Sequence, residues 1–168
     1  LALDMLKSYF EKTSEDTSVY FRDKKIWACG EKYRKLQGTF PVISITFKDA
    51  KFSDWGSTFE AIKNVIRDEY MRHSELFSSD CLNPVEQDYL LRLQSDQLNE
   101  VEYTRSLLNL ERMLEKHHHS KAIVLIDEYD TPIQQGHSRD FYNEVITFMR
   151  NFMSGGLKDN SSLAFGVL

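Results

Sequence analysis

Three carboxylate residues, Asp127, Glu128 and Asp130, stand close together directly after an uninterrupted apolar run. The run, Ala122 to Ile126, is rich in β-branched residues and has the length and composition of a buried strand. Like charges at this spacing repel each other, so a chain that keeps them together commonly provides a cation or a proton for them to share. The sequence therefore indicates a charged site at the end of this strand.

The order of these carboxylates predicts a division of roles in phosphoryl transfer. Ligands of open parallel α/β sheets bind beyond the carboxyl ends of the strands, and neighbouring residues there leave the strand in different directions. We interpret Asp127 as a Mg²⁺ ligand and Glu128 as the base for an attacking water. Asp130 could join the outer coordination of the metal or bond the backbone of a turn, and we favour the turn. The alternative is an acidic strand end that binds nothing.

Two further apolar segments predict the strands that accompany this one. Residues 40–47 (FPVISITF) are apolar on both alternations, which suits a strand covered on both faces, and Pro41 fits its first position or an edge. A third strand is expected over residues 162–168. Because the strands alternate with helical patterns, we predict an α/β fold in which helices flank both faces of a parallel sheet.

Helical periodicity predicts the connections in the first half of the chain. Leu3, Leu6 and Phe10 lie on one face of the first helix. A second helix over residues 54–73 begins with Ser57 and Glu60, which have the spacing of a capping box.

Capping signals predict the later helices. Asn83, followed by a proline, is expected to cap one helix, and a further helix is expected over residues 103–119. Residues 131–139 (TPIQQGHSR) read as a loop. We expect Ser138 to cap the last helix, which two glycines at positions 155 and 156 would end.

Composition excludes several classes of function. Hydrophobic residues make up 41% of the chain and charged residues 28%, and the net charge is −5, so no basic stripe for nucleic acid is present. No apolar run approaches the length of a membrane span. Cys29 and Cys81 lie far apart without metal-ligand spacing, and we interpret them as reduced, structural cysteines of a cytoplasmic protein.

The histidines have a structural and a metal-binding interpretation. His117, His118 and His119 are consecutive, and neighbouring helical positions point about 100° apart, so the three cannot converge on one ion. We interpret them as the solvated last turn of a helix, with metal binding as the alternative. His73 repeats with the apolar face of its helix and is expected to be a packing residue.

The segment LIDEYDTPI resembles the Walker B motif of the AAA-ATPase-like family of P-loop NTPases. Bacterial members often carry a PD-(D/E)XK nuclease-like domain after this one. LALDMLKSYFE resembles the helix that follows the phosphate-binding loop, GTFPVISITFKDAK the next core strand, and GGLKDNSSLAFGVL the approach to the sensor strand. Together these segments span most of the chain in the family's order.

The resemblance implies a three-layer P-loop NTPase-type sheet, truncated at both ends, with residues 1–168 as a partial domain. Its Walker B strand would be 121–127 and its sensor-type strand 162–168. Asp127 would then be the Mg²⁺ residue and Glu128 the catalytic glutamate, with Mg²⁺ and ATP as cofactor and substrate. A nuclease-like domain, another protein partner or a second copy of the chain would be possible partners.

One motif of the family is absent from these residues. No G-x-x-x-x-G-K-[ST] sequence occurs, no initiator methionine is present and no capping residue precedes the first helix. We therefore expect a fragment that is inactive alone, with its phosphate loop before Leu1 and its sensor residues after Leu168. The strand edge over 164–168 would be exposed and could self-associate.

Two other functions remain open from the sequence. The first is a non-catalytic interaction or regulatory module with a vestigial Walker B, in which the helices over 83–94 and 103–117 bind a partner. The second is a metal-dependent phosphodiesterase that uses Asp127, Glu128 and Asp130 on Mg²⁺ or Mn²⁺. No second cluster of acidic and histidine residues supports it in the sequence.

Overall fold

The computed structural model describes residues 2–168; Leu1, with which the first predicted helix begins, lies outside them. The strands are β1 Val42–Thr46, β2 Ala122–Asp127 and β3 Leu163–Val167. The α-helices are α1 Ala2–Phe10, α2 Lys25–Ala28, α3 Glu31–Arg34, α4 Trp55–Arg72, α5 Pro84–Gln94, α6 Glu100–Thr104, α7 Ser106–His118, α8 Asp130–Ser138 and α9 Tyr142–Leu157.

The three strands form one parallel sheet in the order β1-β2-β3, so the strand with the apolar run is central. Its register with β1 runs from Val42 opposite Ile123 to Thr46 opposite Asp127. The five apolar residues of β2 are buried, as a strand covered on both faces requires. The predicted α/β class and parallel sheet are confirmed.

Helices cover both faces of this sheet. On one face, α1 and its neighbours bury alternate strand residues against an apolar group of Leu3, Leu6, Phe10, Phe40, Val42, Ile123, Leu125 and Val167. The opposite residues of β1 and β2 enter a larger core with α4, α7 and α9, which includes Ile62, Ile66, Leu107, Leu114, Val145, Phe148 and Phe152. Alternate burial follows from the two-residue period of a strand. The predicted apolar face of the first helix is therefore confirmed.

The outer edge of β1 is closed by side chains from the end of α4. Glu69 accepts a hydrogen bond of 2.8 Å from the backbone N–H of Ser44. Arg72 donates to the carbonyl of Val42, and Nε2 of His73 lies 3.1 Å from the same oxygen. These contacts satisfy backbone groups that an edge strand would otherwise leave unpaired. His73 is buried and bonded, as its packing interpretation expected.

The helix starts partly follow the sequence signals. Asn83 caps α5, and its side chain and that of Glu86 form the reciprocal bonds of a capping box. The predicted box of Ser57 and Glu60 is wrong. Asp54 caps α4 instead, because its carboxylate accepts a 2.8 Å bond from the Ser57 N–H, and aspartate is as strong a cap as serine.

The single helix expected over residues 103–119 is two helices. Arg105 separates α6 from α7, and its N–H bonds to the Glu102 carbonyl in a tight turn. The hydroxyl of Ser106 donates a 2.6 Å bond to the Tyr103 carbonyl. Serine side chains compete in this way with the regular helical bonds of the backbone.

The loop expected over residues 131–139 is helix α8. Pro132 is the third residue of this helix, a position at which its missing N–H removes no intrahelical bond. Ser138 ends α8, with its hydroxyl bonded to the Gln134 carbonyl at 3.1 Å, and therefore does not cap the last helix. Helix α9 begins at Tyr142 after Phe141, which provides no side-chain cap.

The two glycines expected to end the last helix lie inside it, since α9 continues to Leu157. Gly156 is buried and lies against Leu107 of α7, where a Cβ atom would be only 2.5 Å from the leucine side chain. Close approach of two helices therefore explains this glycine, and chain termination does not.

Strand β3 forms the other edge of the sheet. Ala164, Phe165 and Gly166 are exposed, in contrast to the buried centre of β2.

Cys29 and Cys81 are unpaired and also exposed, so neither has the packing role that their structural interpretation implied. Within residues 2–168 the helices are all too short or too polar to cross a lipid bilayer.

Candidate active site

Asp127 is the last residue of β2 and lies at the carboxyl edge of the sheet. Its backbone carbonyl accepts a 3.1 Å bond from Phe47, just beyond the end of β1. Thr46 is its register partner on that strand. The ladder thus holds the Asp127 backbone rigidly, while its exposed side chain projects from the sheet edge. This placement agrees with the position inferred from the sequence.

Glu128 has a left-handed backbone conformation with φ of 50°. This region is uncommon for residues other than glycine and costs roughly 1–3 kcal/mol. The Oδ1 atom of Asp127 accepts a 2.9 Å hydrogen bond from the Glu128 N–H and so supports the turn. The backbone therefore turns sharply after β2, so Asp127 and Glu128 lie on peptide segments that run in different directions.

Thr131 connects the start of α8 to Glu128. Its hydroxyl donates a 3.2 Å bond to Oε2 of Glu128, and its N–H donates a 3.1 Å bond to the Glu128 carbonyl. Its side chain is largely buried, whereas Glu128 is exposed. The sequence interpretation missed this residue, because residues 131–139 read as a loop, in which the bond from Thr131 to Glu128 has no reason to form.

Asp130 belongs to the first turn of α8. Its Oδ2 atom accepts a 2.7 Å bond from the side chain of Gln134, one helical turn further on. The favoured interpretation, a bond to the backbone of a loop, is therefore wrong because the segment is helical. Residues 2–168 contain no group of three histidine, cysteine, aspartate or glutamate side chains that could hold a metal ion. The three carboxylates thus do not form one metal cluster.

Each carboxylate of the pair has one oxygen that accepts a hydrogen bond and one that does not. Oδ1 of Asp127 and Oε2 of Glu128 each accept one bond and keep a second lone pair. Oδ2 of Asp127 and Oε1 of Glu128 have no hydrogen bond from any residue in the described part of the chain. Mg²⁺ commonly binds through one or two protein carboxylates, with waters and substrate phosphates completing its octahedron. The donor set fits that ion.

Comparison with known proteins identifies the family at this point. The family model for AAA-ATPase-like proteins, described as "Predicted AAA-ATPase", matches residues 1–168. The chain belongs to this AAA-ATPase-like family. No curated protein matches the chain, and no solved structure does. The family that LIDEYDTPI resembles is therefore confirmed over the whole chain, and the roles of individual residues rest on the geometry.

This AAA-ATPase-like chain also has a cavity of about 720 Å³ at the end of the sheet opposite to Asp127 and Glu128. Arg72, His73 and Glu75 contribute to its wall, together with Glu11, Lys12, Thr13, Ser14, Pro41, Val42, His117 and His118. It lies at the amino end of β1, whereas ligands of parallel sheets bind at the carboxyl ends. We therefore locate the candidate site at Asp127 and Glu128 and not at this cavity.

The consecutive histidines have different partners. Nδ1 of His117 lies 2.7 Å from the hydroxyl of Ser79, and Nε2 of His118 lies 3.0 Å from Glu75. His119 is exposed and ends α7 in a left-handed conformation. The first two are half-buried, so the interpretation of a fully solvated last turn is wrong for them. Their bonds join α7 to the short turn at residues 74–79.

Proposed function

We propose that the intact protein hydrolyses the terminal phosphoanhydride bond of ATP with Mg²⁺, that Asp127 holds the metal and that Glu128 is the general base. One observation carries the proposal. The two carboxylates lie at the carboxyl edge of a parallel sheet, each with one free oxygen, in a chain of the AAA-ATPase-like family. This edge is where parallel α/β proteins bind nucleotides.

In the proposed reaction, Oε1 of Glu128 accepts a proton from the attacking water. The water oxygen forms a bond to the γ-phosphorus, the bond from that phosphorus to the bridging oxygen breaks, and ADP leaves with the electron pair. Asp127 would hold Mg²⁺, directly or through a water, and the ion would neutralise charge on the phosphate oxygens.

The proposal assigns this activity to a chain that also contains a phosphate-binding loop. In P-loop proteins the loop backbone and its lysine supply many of the phosphate contacts. Residues 1–168 contain no such sequence. We therefore expect residues 1–168 alone to hydrolyse no ATP.

Phosphate release from Mg²⁺-ATP by the intact protein tests the proposal. Glu128→Gln should lower kcat by about 10²–10⁴-fold and leave ATP binding intact, because only proton transfer is lost. Asp127→Asn should raise the Mg²⁺ concentration needed for turnover. Glu60→Gln, at an exposed carboxylate of α4, is the matched control and should retain activity. Equal turnover by Glu128→Gln and the wild type would remove Glu128 as the base.

A specific observation supports a second candidate, a non-catalytic interaction module. Val85 and Leu91 of α5 and Val101 of α6 are 77%, 60% and 72% exposed. Contiguous exposed apolar patches are a feature of protein-binding surfaces, and this candidate requires that the three side chains form one such patch. This alternative predicts that the intact protein binds no ATP, and that changing these three residues to serine abolishes binding of a partner. ATP binding at the Asp127 edge would argue against it.

We also propose where the intact protein is located, which domain accompanies it and how it associates. We infer a cytoplasmic ATPase, since the two cysteines lack the spacing of a disulfide framework. A nuclease-like domain in the same chain and self-association through the open edge of β3 are further proposals. Sedimentation of the intact protein tests the self-association, because a monomer at all concentrations would contradict it.

A further inference from the structure

We propose that Thr131 is a positioning residue of the candidate site, which orients the Glu128 carboxylate so that Oε1 is presented to the reacting water. The inference rests on the proposed role of Glu128 as base and adds a residue to that site. Its basis is the bond from the Thr131 hydroxyl to Oε2 at 3.2 Å.

Thr131 contacts both the side chain and the backbone of Glu128. The hydroxyl binds the tip of the side chain, and the N–H binds the backbone carbonyl at 3.1 Å. The bond from Glu128 N–H to Asp127 completes the restraint. An exposed glutamate normally samples many rotamers, and the hydroxyl bond restrains this side chain while the other two bonds restrain its backbone.

The chemistry of the two groups determines which oxygen is free. A threonine hydroxyl has one proton, and donating it to Oε2 lowers the basicity of that oxygen and leaves Oε1 as the oxygen with both lone pairs available. A base must lie within hydrogen-bond reach of the proton that it abstracts, and small misplacements of a reacting group are costly. A loss of this restraint should therefore lower the rate of the chemical step more than the affinity for ATP.

A purely structural role is the competing explanation, because Thr131 also belongs to the first turn of α8. Thr131→Val keeps the shape and the backbone bond but removes the hydroxyl. Thr131→Ser keeps the hydroxyl. Gln134→Ala removes the other side-chain bond of the same turn, from Gln134 to Asp130, and leaves Glu128 untouched. These three variants separate an effect on Glu128 from an effect on the helix.

The experiment measures kcat and KM of the intact protein for Mg²⁺-ATP. We expect Thr131→Val to lower kcat by about ten- to one hundred-fold with KM nearly unchanged. Thr131→Ser should retain most activity, and Gln134→Ala should be close to wild type. A normal kcat in Thr131→Val, or an equal loss in Gln134→Ala, would overturn the positioning role.

A double variant tests whether Thr131 acts through Glu128. In a Glu128→Gln background, Thr131→Val should cause little further loss, because residues that act as one unit are non-additive. A full additional loss of ten-fold or more would mean that Thr131 acts independently of Glu128 and would reject the proposal.

The failure of the proposed function can be distinguished from the failure of this inference. If the wild type hydrolyses no ATP, the proposed function fails, and the side-chain couplings of Glu128 measured by NMR then decide the inference. One dominant rotamer in the wild type and Thr131→Ser, averaged in Thr131→Val, supports positioning. Averaged couplings in the wild type would contradict it.

Discussion

Glu69 binds the backbone N–H of Ser44 at 2.8 Å and so places a buried carboxylate against the edge of a parallel sheet. The same carboxylate pairs with Arg72 at 2.7 Å and with His73 at 3.2 Å. Burial raises its pKa, but hydrogen bonds from His73 and Arg72 outweigh that effect, and the pKa of Glu69 is lowered overall. One carboxylate therefore completes the edge of β1 and balances the charge of Arg72, and that of His73 when the imidazole is protonated.

Removal of this carboxylate should destabilise the fold strongly. Glu69→Ala leaves the Ser44 N–H unpaired and removes one of the two carboxylates that pair with Arg72, so that Glu11 alone balances this guanidinium. We expect a loss of about 3–5 kcal/mol in the free energy of unfolding, measured by urea denaturation. Glu60→Ala removes an exposed carboxylate from its pair with the largely buried Lys63 on the same helix. This variant should cost less than about 1 kcal/mol, because Lys63 keeps its pair with Asp96. Similar losses in both variants would contradict the role of Glu69.

Stability should fall with rising pH through the titration of His73. Burial lowers the pKa of His73, but hydrogen bonds to Glu69 and Glu75 outweigh it, so the pKa is raised above 6.5. A group with a raised pKa stabilises the fold fully below its unfolded pKa, and the contribution is lost as the pH passes its folded pKa. His73→Gln should flatten this part of the stability profile, whereas the exposed His137→Gln should leave it unchanged. An identical slope in His73→Gln would contradict the assignment.

The titration of Glu111 should give the free energy of unfolding a second dependence on pH. Its side chain is fully buried, Oε1 has no partner among residues 2–168, and burial raises its pKa from 4.5 to about 8. The folded state therefore binds more protons than the unfolded state between these values, and stability declines as pH rises through them.

Glu111→Gln should accordingly be more stable than wild type at pH 8–9 and should lose less stability between pH 5 and 8. Urea denaturation across this range measures both effects. Glu115→Gln, one turn later on α7, is the control and should follow the wild-type profile. A Glu111→Gln profile parallel to that of the wild type would mean that Glu111 is not the titrating group.

Two adjacent glycines provide a matched pair for the contact between α7 and α9. A Cβ at Gly156 would lie 2.5 Å from Leu107 and 2.7 Å from Glu111, whereas at Gly155 the nearest atoms are 3.9 Å away. Gly156→Ala should destabilise by about 1–3 kcal/mol through overpacking. Gly155→Ala should stabilise by up to about 1 kcal/mol, because alanine is the better helix former. Thermal melts of both variants test this, and equal shifts would contradict it.

The sequence predicts β1 and β2 because their apolar runs suit strands that are covered on both faces, whereas β3 is an edge strand with exposed residues. It also predicts the start of α5, since Asn83 and Glu86 act locally. Helix α8 was missed because proline and glycine usually mark loops, yet Pro132 lies in the first turn, where the helix needs no N–H.

The remaining features of the candidate site depend on tertiary context. The left-handed backbone of Glu128 has no sequence marker, because glycine or asparagine is the usual residue in that region. Gly156 resembles a helix end until the packing of Leu107 against it is known. The positions of Asp127 and Glu128 at a sheet edge were predictable, whereas the bond from Thr131 required the helix that follows them.

Because side chains from the end of α4 cover the outer side of β1, a further strand is expected to add to the sheet on the side of β3. Side chains of Glu69, Arg72 and His73 occupy backbone groups on the outer side of β1, so a new strand would have to displace a buried ionic cluster there. The side of β3 presents no such obstacle. Any additional strand, from this polypeptide or another, should therefore be recruited next to β3, one strand away from the carboxylates that end β2.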